Sequence, residues 1–375
     1  MFGHATQAPD VTETKTTVVL LFGGRSSEHS ISCATAGGVL GAIDRTRFDV
    51  IPVGITREGA FTLQPDDAAL FALDGDRLPF VDDNGTRVHW PSSADSRELS
   101  VADESGIRSL ADIDVVFPIL HGRFGEDGTV QGMLEMLGLP YVGAGVLASA
   151  VAMDKDFTKA VLKHSGIAVA PWITVTDASW STDAHGIAAS VASTFSWPVF
   201  VKPARAGSSV GVSRATDPTS LAAAIDLALA EDGKVLIEEA MVGREIECAV
   251  LAGHEGAPPR ASVAGEVITG EGEFYDFTSK YVDADAAQLV CPADLTAPQL
   301  AEVQSLAVRA FTAIDGAGLA RVDFFLTDSG FVVNEINTMP GFTPISMFPK
   351  CWMASGMTYP DLITELITLG LAARR

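Results

Sequence analysis

The segment "LARVDFFLTDSGFVVNEIN", residues 319–337, carries two carboxylates, an amide and a guanidinium at spacings with chemical content. "TDSG" is a hairpin turn signal between two apolar runs. Side chains two apart on a strand share a face. Arg321 and Asp323 therefore point the same way on the first strand, and so do Glu335 and Asn337 on the second. Pairing the strands can gather all four. Two carboxylates and an amide oxygen are hard donors, suited to Mg²⁺ rather than zinc. A plain polar hairpin face with a salt bridge would show the same spacing. The apolar neighbours Phe324, Phe325, Val332 and Val333 weigh against it, because ionised groups set among them need a metal or a charged partner.

Four further stretches carry chemistry. In "LLFGGRSSEHSIS" (20–32) an apolar run ends in two glycines, and Glu28 stands where a helix begins. Such junctions favour anions, because backbone N–H groups and the helix dipole point into them. A carboxylate is an unusual occupant. In "VFVKPARAGSSVGV" (199–212) a strand presents Lys202, and Gly207-Ser208-Ser209 can wrap its backbone around phosphate oxygens. This is not a P-loop, and an ordinary hairpin turn with an exposed lysine would look similar. His121 follows the strand-like "VVFPIL", at the sheet edge where open α/β folds bind ligands, and a glycine-rich acidic turn comes next. In "NTMPGFTPISMFPK" (337–350), Gly341 can bring its N–H close to a ligand and Ser346 offers a hydroxyl. The polar, aromatic stretch 270–292 reads as a lid carrying Lys280 and Tyr281.

The elements that must position these groups alternate along the first half of the chain. Strands are expected at 16–22, 48–56, 111–120 and within 138–145, with a helix over 30–43. That order means a parallel sheet covered on both faces. Residues 57–110, richer in Asp, Gly, Pro and Ser, read as an insertion with short strands. A second part holds a helix over 153–167, strand-like runs flanking the glycine-serine loop, a helix over 218–231 and a strand over 234–241. From about 244 the pattern is antiparallel. The expected division is a tail at 1–15, a substrate domain at 16–145, a central part at 146–240 and a C-terminal part at 241–375.

Composition bounds the partners. The 375 residues are 47% hydrophobic, with a formal net charge of −23. That charge argues against nucleic acid or an anionic membrane as main partner, since both need basic patches. No apolar run is long enough to span a membrane. The first fifteen residues lack the apolar core of a secretion signal. Cys33, Cys248, Cys291 and Cys351 show no metal-like spacing and read as reduced thiols of a cytosolic protein.

Together the motifs resemble the D-alanine–D-alanine ligases of the ATP-grasp superfamily. "GGRSSEHSIS", "HGRFGEDGTVQG", "VKPARAGSSVGV", "FYDFTSKY", "ARVDFF" and "NEINTMPGFTPIS" occur in that family's order, and the resemblance covers residues 17–370. It implies an α/β ATP-grasp fold behind a Rossmann-like N-terminal domain. It implies ATP and Mg²⁺ as cofactors (two ions, with Mn²⁺ as a substitute), and a cytoplasmic homodimer that joins two D-alanines for peptidoglycan. The first carboxylate would be phosphorylated to an acyl phosphate, which the second amine attacks.

By the same resemblance Glu28 would bind the ammonium of the first D-alanine. Ser208 and Tyr281 would bond with Glu28 and close the lid. Lys155, Lys202 and Lys280 would neutralise ATP phosphates under the Ser208–Ser209 loop. Glu238, Glu245 and Phe274 would contact adenosine. Asp323, Glu335 and Asn337 would hold the metal. Arg321 and the Gly341 N–H would stabilise the tetrahedral oxyanion, Ser346 would bind the second carboxylate, and His121 would lie near the second D-alanine. The chain departs from the family pattern at Ala206, Glu239 and Ala240, which puts nucleotide affinity and base selectivity in question.

Three rival readings are distinguishable. A D-lactate- or D-serine-using ligase belongs to the same family, and Tyr281 favours an amine over D-lactate as acceptor. A non-catalytic nucleotide-binding regulator would be expected to lose Arg321 or the metal donors, and all are present. A dinucleotide oxidoreductase, suggested by "FGG", lacks the third glycine of its fingerprint.

Overall fold

A computed structural model describes residues 14–72, 78–207, 209–269 and 287–373. The first part runs β1 (Thr16–Gly23), α1 (His29–Ala42), β2 (Phe48–Ile55), β3 (Phe61–Leu63), β4 (Arg87–His89), β5 (Glu98–Asp103), β6 (Gly106–Asp112), β7 (Val115–Ile119) and α2 (Thr129–Met136). The middle runs α3 (Val146–Met153), α4 (Lys155–His164), β8 (Trp172–Thr176), α5 (Asp177–Thr194), β9 (Val199–Pro203), β10 (Ser213–Ala215), α6 (Pro218–Glu231) and β11 (Lys234–Glu239). The last part runs β12 (Arg244–Leu251), β13 (Arg260–Thr269), β14 (Ala287–Val290), α7 (Ala297–Ala313), β15 (Leu319–Thr327), β16 (Gly330–Asn337), α8 (Met347–Ala354) and α9 (Tyr359–Ala372).

The first sheet has the order β3-β2-β1-β7. β1 is parallel to both β2 and β7, and β3 adds an antiparallel edge. Val18 to Phe22 are fully buried, as expected of a strand covered on both faces. Strands β4, β5 and β6 form a small antiparallel sheet inside the expected insertion. The second main sheet is β10-β9-β11-β8, antiparallel throughout. The third is β14-β13-β12-β15-β16, also antiparallel.

Two expected elements differ. The stretch 138–145 is not a strand: Tyr141 makes one parallel bridge to Val116. Gly138 and Gly143 take positive φ values of 65° and 106°, which break an extended run on either side of that bridge. The helix expected over 153–167 starts at Lys155, because Asp154 is extended and its side chain accepts from the N–H groups of Asp156 and Phe157. Helices α3, α5, α7, α8 and α9 come in addition to the expected elements. Helix α9 returns to the first sheet, where Leu362, Ile363, Leu366 and Ile367 share one core with Val18, Leu20 and Phe22. The chain end thereby braces the sheet that carries Glu28.

Candidate active site

Glu28 and His121 leave the carboxyl ends of neighbouring parallel strands β1 and β7. Both are buried, at 8% and 5% exposure. Ser32 on α1 ties the three elements together: its Oγ accepts from Gly23 N at 2.8 Å and donates to Ile119 O. Glu28 is the N-cap residue of α1, but its side chain does not cap the helix. Its backbone oxygen accepts from the N–H groups of Ile31 and Ser32 instead. The carboxylate points away, toward two glycines. A Cβ at Gly122 would lie 2.7 Å from Glu28 Oε2, and one at Gly207 would lie 3.0 Å away. Glycine at both positions is thus what lets the backbone close around this carboxylate.

His121 is held by Met339 O at 3.1 Å from Nδ1, and Thr35 Oγ1 lies 3.4 Å from Nε2. Burial lowers its pKa against the opposing pull of Glu28. Glu126, one turn further on, is a residue that sequence reasoning missed. Its Oε2 accepts from Gly122 N at 2.7 Å and its Oε1 from Met339 N at 3.3 Å. Burial first, and the Glu28 charge second, push its carboxyl up to about 8.

The third sheet supplies the acidic face. Asp323 stands opposite Glu335, and Arg321 opposite Asn337. A bulge after Asp323 leaves Asn334 as the extra residue on β16, and its Oδ1 lies 3.5 Å from Lys202 Nζ. Asp323 accepts from Arg321 Nε and Nη2, each at 2.7 Å, and from Asn337 Nδ2 at 2.9 Å. Among the described residues no three His, Cys, Asp or Glu side chains form a metal-holding group. The donor set of Asp323, Glu335 and Asn337 therefore needs its amide oxygen. Hard oxygen donors from two directly paired strands fit Mg²⁺.

Lys155 opens α4 beside this face. Its Nζ donates to Ala206 O at 2.8 Å and lies 3.7 Å from Glu335 Oε2. It thus links the glycine-serine loop to the acidic strand. Lys202 Nζ lies 2.6 Å from Glu238 Oε2, and Lys159 Nζ lies 3.1 Å from Glu238 Oε1. Lys159, absent from the expected site, is fully buried. Burial pulls its pKa down to about 8 against the attraction of Glu238. Burial alone would raise the pKa of Glu238, but Lys202 and Lys159 together hold it below the usual carboxylate range.

One cleft collects Glu28, His121 and Glu126 from the first sheet with Arg321, Asp323, Glu335 and Asn337 from the third. Lys155, Glu245, Gly341 and Ser346 line the same cleft. Ser346 is the N-cap of α8, and its Oγ lies 2.8 Å from Thr343 Oγ1. A Cβ at Gly341 would come within 3.2 Å of Ser346 Oγ, so that backbone approach is close. Lys202 adjoins the cleft through Asn334, a lining residue, and carries Glu238 with it. Ser209 adopts a positive φ of 59° on the loop side. Ser208, Phe274, Lys280 and Tyr281, with most of the expected lid at 270–290, lie outside the described residues.

The family described as D-ala D-ala ligase N-terminus matches residues 17–144, and D-ala D-ala ligase C-terminus matches residues 161–368. A D-alanine--D-alanine ligase from Paenarthrobacter aurescens (strain TC1) is 51% identical over 361 residues, 95% of each chain. One from Arthrobacter sp. (strain FB24) is 52% identical, over 95% of this chain and 94% of its own. Among solved structures, the VanG D-Ala:D-Ser ligase from Enterococcus faecalis superposes with a TM-score of 0.83 at 32% identity, covering 95% of this chain and all of that one. The D-alanine-D-alanine ligase from Coxiella burnetii gives 0.78 at 34%, covering 95% and 94%. With both halves matched, and with the ATP-grasp architecture of these structures, the chain belongs to the D-alanine–D-alanine ligase family.

Proposed function

We propose that this cleft joins two D-alanines, and that the residues gathered in it divide the work as follows. The reaction itself, ATP-dependent ligation of two D-alanines to the dipeptide with release of ADP and phosphate, follows from family membership and from the relatives at about 50% identity. The D-serine ligase among the structural neighbours is more distant, at 32%.

The observation that carries the division of roles is the meeting of opposite chemistries in one cleft. Glu28 offers negative charge at one end, where a substrate ammonium would sit. Lys155 on the wall and Lys202 beside Asn334 would offer positive charge to phosphates, and by the family resemblance Ser208, Ser209 and Lys280 would extend that set. Asp323, Glu335 and Asn337 would hold Mg²⁺, which when bound neutralises phosphate oxygens. Arg321 and the Gly341 N–H would hold the oxyanion formed as the second amine attacks the acyl phosphate. Ser346, at the head of α8, would bind the second carboxylate, with His121 nearby. Tyr281 would close over Glu28, and Glu238, Glu245 and Phe274 would face the nucleoside. Two Mg²⁺ ions, their replacement by Mn²⁺, a homodimer and a cytoplasmic setting complete the reading. Among the described residues no helix is long and apolar enough to cross a membrane.

The test is direct. Purified protein with ATP and Mg²⁺ should release phosphate only when D-alanine is present, and mass spectrometry should find the dipeptide. Parallel reactions with D-serine and D-lactate as acceptor should give less product. ATP hydrolysis indifferent to D-alanine would overturn the reading.

A further inference from the structure

Asp323 carries two demands. Both of its oxygens are engaged by Arg321, and Asn337 shares Oδ2. The function proposed above also needs this carboxylate for Mg²⁺ and needs Arg321 for the oxyanion. A carboxylate gripped bidentately by a guanidinium presents its lone pairs poorly to a metal. A guanidinium released by that carboxylate would be left among partly buried surroundings, with its side chain only 17% exposed.

Glu247 lies where a second partner would have to be. On β12 it stands directly opposite Asp323 of β15, and Asp323 stands opposite Glu335 of β16. Three carboxylates thus form a row across three strands. Glu247 Oε2 is 3.1 Å from Arg321 Nε. That nitrogen has a single hydrogen, which it gives to Asp323 Oδ1 at 2.7 Å. Its approach to Glu247 is therefore a charge contact, and a small turn of the guanidinium would convert it into a hydrogen bond.

We infer that Glu247 is a positioning residue for partner exchange: it takes the Arg321 Nε–H when Asp323 turns to the metal, keeping the guanidinium paired and aimed into the cleft. The inference rests on the roles given to Asp323 and Arg321 above. It also accounts for a third acid on a strand whose neighbours, Ile246 and Cys248, are fully buried.

The experiment measures ADP binding by calorimetry across a Mg²⁺ titration for the wild type, Glu247→Gln, Glu247→Asp and Asp323→Asn, alongside steady-state kinetics. Glu247→Gln keeps shape and removes charge. Its Mg²⁺ midpoint should rise about 10-fold or more, the scale on which outer partners of metal ligands act. Its kcat should fall while Mg²⁺-free ADP binding holds. Glu247→Asp should recover part of both, and it carries the comparison if Glu247→Gln does not fold. An unchanged Mg²⁺ midpoint in the Glu247 variants, whatever their kcat, overturns the exchange. Asp323→Asn separates the two levels: if its midpoint is also unmoved, the metal assignment itself fails. If Asp323→Asn shifts and the Glu247 variants do not, only the role of Glu247 falls.

Discussion

Glu126 and Met339, 213 residues apart in sequence, are joined by a hydrogen bond from the Met339 N–H to Glu126 Oε1 at 3.3 Å. The same carboxyl accepts from Gly122 N, so one side chain fastens the loop after β16 to the edge of the first sheet. The two N–H bonds favour its ionised form, but burial and the Glu28 charge outweigh them and push its pKa up to about 8. A carboxyl raised above its ordinary value of 4.5 stabilises the fold fully below that value, and the contribution is lost as pH rises through about 8. Glu126→Gln cannot titrate and leaves one N–H without an acceptor, at roughly 1 kcal/mol. Denaturant unfolding should show that deficit at pH 6 and a shrinking gap by pH 9. A gap independent of pH would contradict the raised pKa of Glu126.

Glu28→Gln should weaken D-alanine use and spare the nucleotide. A hydrogen bond to a charged group is worth about 1.5–3 kcal/mol, so KM for D-alanine should rise by roughly 10- to 150-fold. Calorimetric ADP affinity should stay within about twofold. Equal losses in both would mean that the variant has disturbed the junction between β1 and α1 instead.

Asn337→Ala should cost more turnover than the about 10–100-fold typical of outer metal partners, with the fold intact by circular dichroism. It removes both the amide oxygen from the donor set and a hydrogen bond to Asp323. Near-normal turnover at limiting Mg²⁺ would remove Asn337 from the set.

The cluster of Lys159, Glu238 and Lys202 should behave as a unit. Lys159→Ala leaves a buried carboxylate with one cation fewer, and breaking such a pair costs about 3–5 kcal/mol. Lys159→Ala combined with Glu238→Gln removes charge from both sides and should recover part of that loss. Strictly additive losses in the double variant would show that the two side chains act independently.

Much of the site was legible in the linear order of residues. Strand alternation is a local property, and it put Arg321 with Asp323 and Glu335 with Asn337 as observed. The glycine-rich turn after His121 was visible in the sequence, but only the structure shows Gly122 closing around the Glu28 carboxylate. The six motifs in family order identified the family and, through it, the reaction.

Other parts depended on contacts between distant segments. Lys159 reads in sequence as one more lysine on an amphipathic helix, and only its burial against Glu238 makes it part of the site. Glu126 sits in an acidic turn and becomes a clamp because Met339 arrives from the far end of the chain. Glu247 lies in an apolar run, and its value comes from the register of β12 against β15. The bulge at Asn334 breaks simple alternation, yet keeps Glu335 opposite Asp323. Side-chain periodicity is set by each residue and its chain neighbours, so sequence determined which groups share a strand face. Burial, strand register and paired charge arise when segments hundreds of residues apart pack together, so the tertiary structure alone decided which of those groups meet and how each is charged.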